Sequence, residues 1–178
     1  MAKVMSTNDY TSMLLSIEDC YHKLGTLEKG IENYIDMSRL DDESQWFSYL
    51  GFDIQLLNRD IIKETVILQQ IDKVAPIDRI VLLSMPTNTT YNWHIDDHRK
   101  ATVNLLLNNH STSSCLFGKR LDDSKHTIRK LQYEPNTFYL FNTRVEHMVI
   151  NNGERRFMLS MQFDSKLNYG EIKEQLEK

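Results

Sequence analysis

Hydrophobic and polar positions along the chain follow two different periods, and the change falls near Pro76. Before it, apolar residues recur at helical steps. Thr7-Asn8-Asp9 can cap a helix that carries Met13, Leu14, Ile17 and Cys20 on one side, and Ile31, Tyr34, Ile35 and Leu40 continue an apolar stripe. The strongest helical pattern follows Asn58, with Ile61, Ile62, Thr65, Val66, Leu68 and Ile71 at three- and four-residue spacing. Pro76 ends it, because the residue before a proline is pushed out of the helical region.

From Arg79 onward the pattern predicts eight short strands, at about 79–85, 91–96, 101–108, 115–118, 127–133, 137–141, 145–150 and 155–163. Each is rich in β-branched or aromatic residues. Turn chemistry separates them, as in Pro86-Thr87-Asn88, Glu134-Pro135-Asn136 and Asn151-Asn152-Gly153. Asn168 to Lys178 reads as a terminal helix. Eight short strands in that span predict a sandwich or jelly roll with helices packed outside it. No repeat or linker divides the chain. One domain over 1–178 is expected: a mostly helical support at 1–78, a barrel core at 79–163 and a C-terminal helix at 164–178.

Composition narrows the function classes. The 178 residues are 40% hydrophobic and 10% aromatic, enough apolar surface to offset the entropy of ordering. No apolar run approaches the length of a membrane span. A formal charge of −4 argues against broad nucleic-acid binding, which leans on basic surface. Cys20 and Cys115 lie far apart, with no metal or redox spacing. They read as reduced thiols, and with no secretory pattern at the start the expectation is a cytoplasmic protein.

Candidate chemistry concentrates at Trp93-His94-Ile95-Asp96. Strict strand alternation places Asn92, His94 and Asp96 on one face, and Tyr91, Trp93 and Ile95 on the other. A His and a carboxylate on one face can share a metal. His147, on the seventh predicted strand, is the natural third ligand. Two imidazoles and one carboxylate leave coordination positions open, an arrangement suited to non-haem Fe(II). Asp97 has the wrong parity, and His98 reads as a loop residue. The last strand alternates sharply: Phe157, Leu159, Met161 and Phe163 form an apolar face, and Arg156, Met158, Ser160 and Gln162 a partly polar one. A polar face turned inward implies a cavity. Arg156 opens that face and can grip a carboxylate through two parallel N–H bonds. Arg155 is the fallback, on the apolar parity. Asn104 and Thr102 share a face and are candidates to reach the same ligand. The basic stretch Lys119 to Lys130 reads as a solvated hairpin first and an attractor of acidic substrate second.

The order His94-x-Asp96, His147, Arg156 resembles the Fe(II)- and 2-oxoglutarate-dependent dioxygenase superfamily, nearest to its prolyl-hydroxylase-like and aspartyl/asparaginyl-hydroxylase-like branches. The resemblance spans residues 79–163. It implies a double-stranded β-helix (cupin-like) core, with Fe(II) on His94, Asp96 and His147 and 2-oxoglutarate on Arg156 and Asn104. It also implies consumption of O₂, with ascorbate as a reductant, and hydroxylation of a C–H bond in a peptide or small-molecule substrate, releasing succinate and CO₂. The other readings are a cupin-type metal enzyme, or a binding module, that does not use 2-oxoglutarate, since one barrel hosts several chemistries.

Overall fold

The structure is a computed structural model that describes residues 14–27, 35–36, 40, 42, 44, 46–49, 52–108, 112–121, 126–163 and 166–178. Two antiparallel sheets face each other. The larger has seven strands in the order β1-β9-β6-β11-β4-β3-β2, and the smaller has four in the order β5-β10-β7-β8. In chain order the strands are β1 Tyr21–Thr26, β2 Phe47–Tyr49, β3 Phe52–Leu57, β4 Ile77–Met85, β5 Thr89–His94, β6 Thr102–Leu106, β7 Ser113–Arg120, β8 His126–Gln132, β9 Thr137–Phe141, β10 Glu146–Asn151 and β11 Arg156–Phe163. The eight strands β4 to β11 match the eight expected from Arg79 onward. Two of the turns between them place Asn88 and Asn136 in the left-handed region that asparagine tolerates. This is the mainly β, jelly-roll architecture of a double-stranded β-helix.

The segment before Pro76 holds more strand than its helical pattern suggests. Residues 21–26, 47–49 and 52–57 are strands that widen the large sheet at both edges. Of the stretch expected as a helix from Thr7, the described part holds α1 Ile17–Cys20, capped by Ser16 and Asp19 bonding each other's backbone amides. The expected cap at Thr7 and Ile31 and Tyr34 of the next stripe lie outside the described residues, while Ile35 and Leu40 are buried. The helix after Asn58 is split in two, α2 Ile61–Glu64 and α3 Val66–Val74, because Thr65 is extended at φ −120°. Thr65 and Val66 are β-branched and weak at holding a helix together. α4 Tyr169–Leu176 starts at Asn168, which forms a capping box with Glu171.

Alternation along β11 sorts the interior into two clusters. Phe157, Leu159 and Met161 point outward, where they join Leu82 of β4, Leu105 of β6 and Leu140 of β9 beneath Leu68 and Ile71 of α3 and Ile172 of α4. Met158 points inward, between the sheets, with Leu106, Cys115, Phe117, Tyr133 and Phe141. The outer face is packed beneath the helices. The inner face leaves a cavity of about 580 Å³.

Candidate functional site

His94 ends β5 and His147 lies directly opposite it on β10. Their ring centroids are 4.2 Å apart. Asp96 follows two residues after His94, outside the strand, where its amide donates to Thr143 O at 3.1 Å. His94 Nε2 and Asp96 Oδ1 are 3.9 Å apart. One ligand atom from each of His94, Asp96 and His147 lies within 4.8 Å of the other two, the spacing a single metal ion can bridge.

The backbone prepares these side chains. His94 Nδ1 lies 2.7 Å from Asn92 O, and His147 Nδ1 lies 2.9 Å from Val145 O. A carbonyl oxygen only accepts, so each ring carries its proton on Nδ1 and leaves the Nε2 lone pair free. Asp96 Oδ2 accepts from Arg99 Nε at 2.6 Å, which leaves Oδ1 turned toward His94. Arg144 donates to the carbonyls of Asp96 and Asp97, fixing this turn. Burial pushes the His147 imidazolium down to about 4, with the neighbouring His94 acting in the same direction. At neutral pH His147 is therefore the unprotonated imidazole that a metal requires.

Strict alternation fails at one place in β5. His147 faces His94 while Val149 faces Tyr91, so Asn92 and Trp93 together oppose the single residue Met148. This bulge re-aims the strand. It carries Tyr91 onto the His94 side, where the two rings are 4.3 Å apart, and leaves Asn92 exposed. Trp93 turns to Gly118 of β7, where a β-carbon would sit 2.9 Å from the indole and force it to shift.

Arg156, Met158, Ser160 and Gln162 line the cavity with Asn104 and Thr102, as the alternation of β11 and β6 expects. Arg156 is 4% exposed. Its guanidinium donates to Tyr133 Oη at 3.1 Å and lies over that ring, 5.2 Å from the centroid. No carboxylate among the described residues pairs with it, and its Nε has no hydrogen-bond partner. Asn104 Oδ1 is also buried without a partner, while Thr102 donates to Met161 O at 2.8 Å. A buried cation and a buried carbonyl left open in one cavity are sites a polar ligand would satisfy. Arg155 is engaged elsewhere. It lies 5.5 Å from the Trp46 and Phe157 rings, donates to Ser84 Oγ at 2.6 Å and pairs with Asp53 at 3.3 Å.

Asp97 and His98 border the cavity as exposed residues, and neither joins the cluster of ligand atoms. Of the basic stretch, Arg129 donates to Leu15 O, and residues 122–125 lie outside the described set. Three contributors escape strict sequence reasoning: Tyr133 beside Arg156, Arg99 beside Asp96, and the β3 side chains Phe52, Ile54 and Leu56, which line the outer cavity. The β3 residues had a visible signal, apolar side chains at every second position. Tyr133 and Arg99 had none.

No family model matches the sequence, and no curated protein does. Solved structures do match. A 2OG-Fe(II) oxygenase family oxidoreductase from Burkholderia pseudomallei superposes with a TM-score of 0.59 at 10% identity, covering 92% of each chain. A Trichoplax adhaerens prolyl hydroxylase, in complex with a hypoxia inducible factor oxygen degradation domain peptide fragment, gives 0.59 at 15% identity over 96% of this chain and 97% of that one. A Pseudomonas putida prolyl-4-hydroxylase gives 0.56 at 14% identity over 80% and 91%. The chain therefore has the fold of 2OG-Fe(II) oxygenases and prolyl hydroxylases, and it gathers a His-Asp-His cluster inside that fold.

Proposed function

We propose that the protein is an Fe(II)- and 2-oxoglutarate-dependent dioxygenase that hydroxylates a C–H bond, of a peptide side chain or an amino-acid-like substrate, in the cytoplasm. One observation carries this reading: His94, Asp96 and His147 share a cavity with a buried arginine that no described carboxylate neutralises. The donor set fits the metal, because the two Nε2 lone pairs and Asp96 Oδ1 are free and face one another. The unpartnered Arg156 Nε is a donor that fits a co-substrate carboxylate, whereas the open Asn104 Oδ1 accepts and calls for a donor. When bound, Fe(II) with 2-oxoglutarate and O₂ supplies oxidation of a C–H bond with release of succinate and CO₂, and ascorbate keeps the metal reduced.

The chain's own residues do the rest. The Asn92 and Val145 carbonyls hold both imidazoles in one tautomer. Arg99 fixes the carboxylate so that one oxygen stays free. Arg156, steadied by Tyr133, would hold the far carboxylate of 2-oxoglutarate, and the side-chain NH₂ of Asn104 would donate to the same molecule. Met158, Phe141 and Val149 give the inner cavity an apolar lining. Residues 1–178 act as one unit in this reading, since α2, α3 and α4 pack on the outer face of the barrel.

The test is succinate production by the full chain with Fe(II), ascorbate and 2-oxoglutarate. Turnover is expected in the wild type and not in His94→Ala or Arg156→Ala. Full turnover in both variants would overturn the site. Metal binding without any use of 2-oxoglutarate would favour a cupin-type metal enzyme.

A further inference from the structure

The inner face of the large sheet changes character from one side to the other. Over β6 and β11 it is polar, with Thr102, Asn104, Ser160 and Arg156. Over β4, β3 and β2 it is apolar, with Val81, Leu83, Phe52, Ile54, Leu56 and Phe47 lining the same cavity. These six residues come from three neighbouring strands and make one wall. The wall is partly uncovered: Leu56 is 61% exposed and Phe47 50%. Large apolar side chains left open on a concave surface mark a site where a ligand is desolvated.

The wall is continuous with the metal-ligand cluster. Phe52 and Tyr91 have ring centroids 4.5 Å apart, and Tyr91 lies 4.3 Å from His94. A group seated on the wall is thus carried toward His94 along a short aromatic path. Among the arginines that line the cavity, two are paired with carboxylates, while Asp97 and His98 stand exposed at its rim. Arg79 pairs with Asp78 at 3.2 Å and Arg99 with Asp96 at 2.6 Å. The cation without a described carboxylate, Arg156, belongs to the polar side. A charged substrate group laid on Ile54 and Leu83 would lose hydration that these apolar side chains do not replace.

We propose that this wall is the substrate subsite, and that the group it presents to the metal-ligand cluster is an uncharged aliphatic or aromatic side chain. The inference rests on the oxygenase reading for the identity of the reacting centre, and is tested separately from it.

The full-length chain is titrated with the blocked tripeptides Ac-Gly-Leu-Gly-NH₂, Ac-Gly-Phe-Gly-NH₂ and Ac-Gly-Asp-Gly-NH₂, and with free leucine and aspartate, with saturation-transfer NMR reporting the bound protons. The apolar side-chain protons are expected to receive saturation, and the aspartyl ligands to bind about tenfold or more weakly. Preference seen only among peptides supports the subsite with a polypeptide source, and the same preference among free amino acids supports it with a small-metabolite source. Leu56→Asp is expected to weaken the leucyl ligand about tenfold. Val66→Asp, at an exposed apolar position on α3 that does not line the cavity, is expected to change nothing. Should Leu56→Asp fail to fold, Phe47→Ser at the half-exposed end of the wall carries the same test. Equal binding of aspartyl and leucyl ligands, no binding of either, or unchanged binding in the folded wall variants overturns the proposal. Apolar preference without succinate production would sink the oxygenase reading and leave the subsite standing. Succinate production without apolar preference would do the reverse.

Discussion

The two faces of β11 are built from alternate residues of one strand, yet they obey different rules. Outward, Leu159 and Met161 are sealed in the hydrophobic cluster beneath the helices, and Phe157 packs against Trp46 and Arg155. Inward, Arg156 and Ser160 are almost as buried, but they border a cavity, and Arg156 keeps an unpartnered nitrogen. Burial alone therefore does not separate core from site. What separates them is whether the buried groups satisfy one another. A closed apolar face lowers the free energy of the folded chain. A buried guanidinium without a described carboxylate raises it and is sustained by the rest of the fold.

That contrast can be broken in order of effect. His94→Ala or His147→Ala removes one of three ligands, and succinate formation is expected to fall to the no-enzyme background, measured with metal content on the same samples. Arg156→Met is expected to weaken 2-oxoglutarate on the order of 100-fold, as losing a charge-assisted carboxylate contact should. Its thermal unfolding should move by less than about 2 kcal/mol, because the lost desolvation cost offsets the orphaned Tyr133 hydroxyl. On the other face the balance reverses. Leu159→Ala is expected to cost about 2–5 kcal/mol in denaturant unfolding, with 2-oxoglutarate affinity little changed. Ser160→Ala, one residue along and facing inward, should cost only about 1 kcal/mol.

The smallest effect concerns Cys115, which is fully buried between the sheets. Burial pushes its thiol up from the usual 9.0 to about 12. At pH 8 it is the neutral thiol, and a disulfide reagent such as Ellman's should leave it unmodified until the chain unfolds. The linkage follows in sign. The folded state holds its proton more tightly than the unfolded state, so the stabilisation is complete below about pH 9 and is lost as pH rises toward 12. Rapid labelling of Cys115 in the folded protein at pH 8 would contradict this.

The barrel was legible in the sequence because β4 to β11 alternate cleanly and are separated by residues with strong turn chemistry, with Asn88 and Asn136 in the left-handed conformation their turns need. His94, Asp96 and His147 were candidates by type and chain order, but strand parity did not place them, since Asp96 lies beyond the end of β5. The N-terminal strands were harder. β1 takes its place by pairing with β9, a long-range contact that no local period announces. β3 alternates at Phe52, Ile54 and Leu56, but adjacent Leu57 and the helical residues from Ile61 blur the period. The bulge in β5 was invisible because it adds one residue with no Gly or Pro to mark it, and it alone moves Tyr91 to the side of His94. Tyr133 reaches Arg156 across the barrel, a contact set by tertiary packing.

The most direct test of the central claim is an anaerobic titration of Fe(II)-loaded protein with 2-oxoglutarate, followed by visible absorption. The account predicts a new absorption band that saturates with 2-oxoglutarate in the wild type, and that in Arg156→Met needs about 100-fold more co-substrate. A wild-type protein that binds Fe(II) through His94, Asp96 and His147 yet shows no spectral change with 2-oxoglutarate would contradict it.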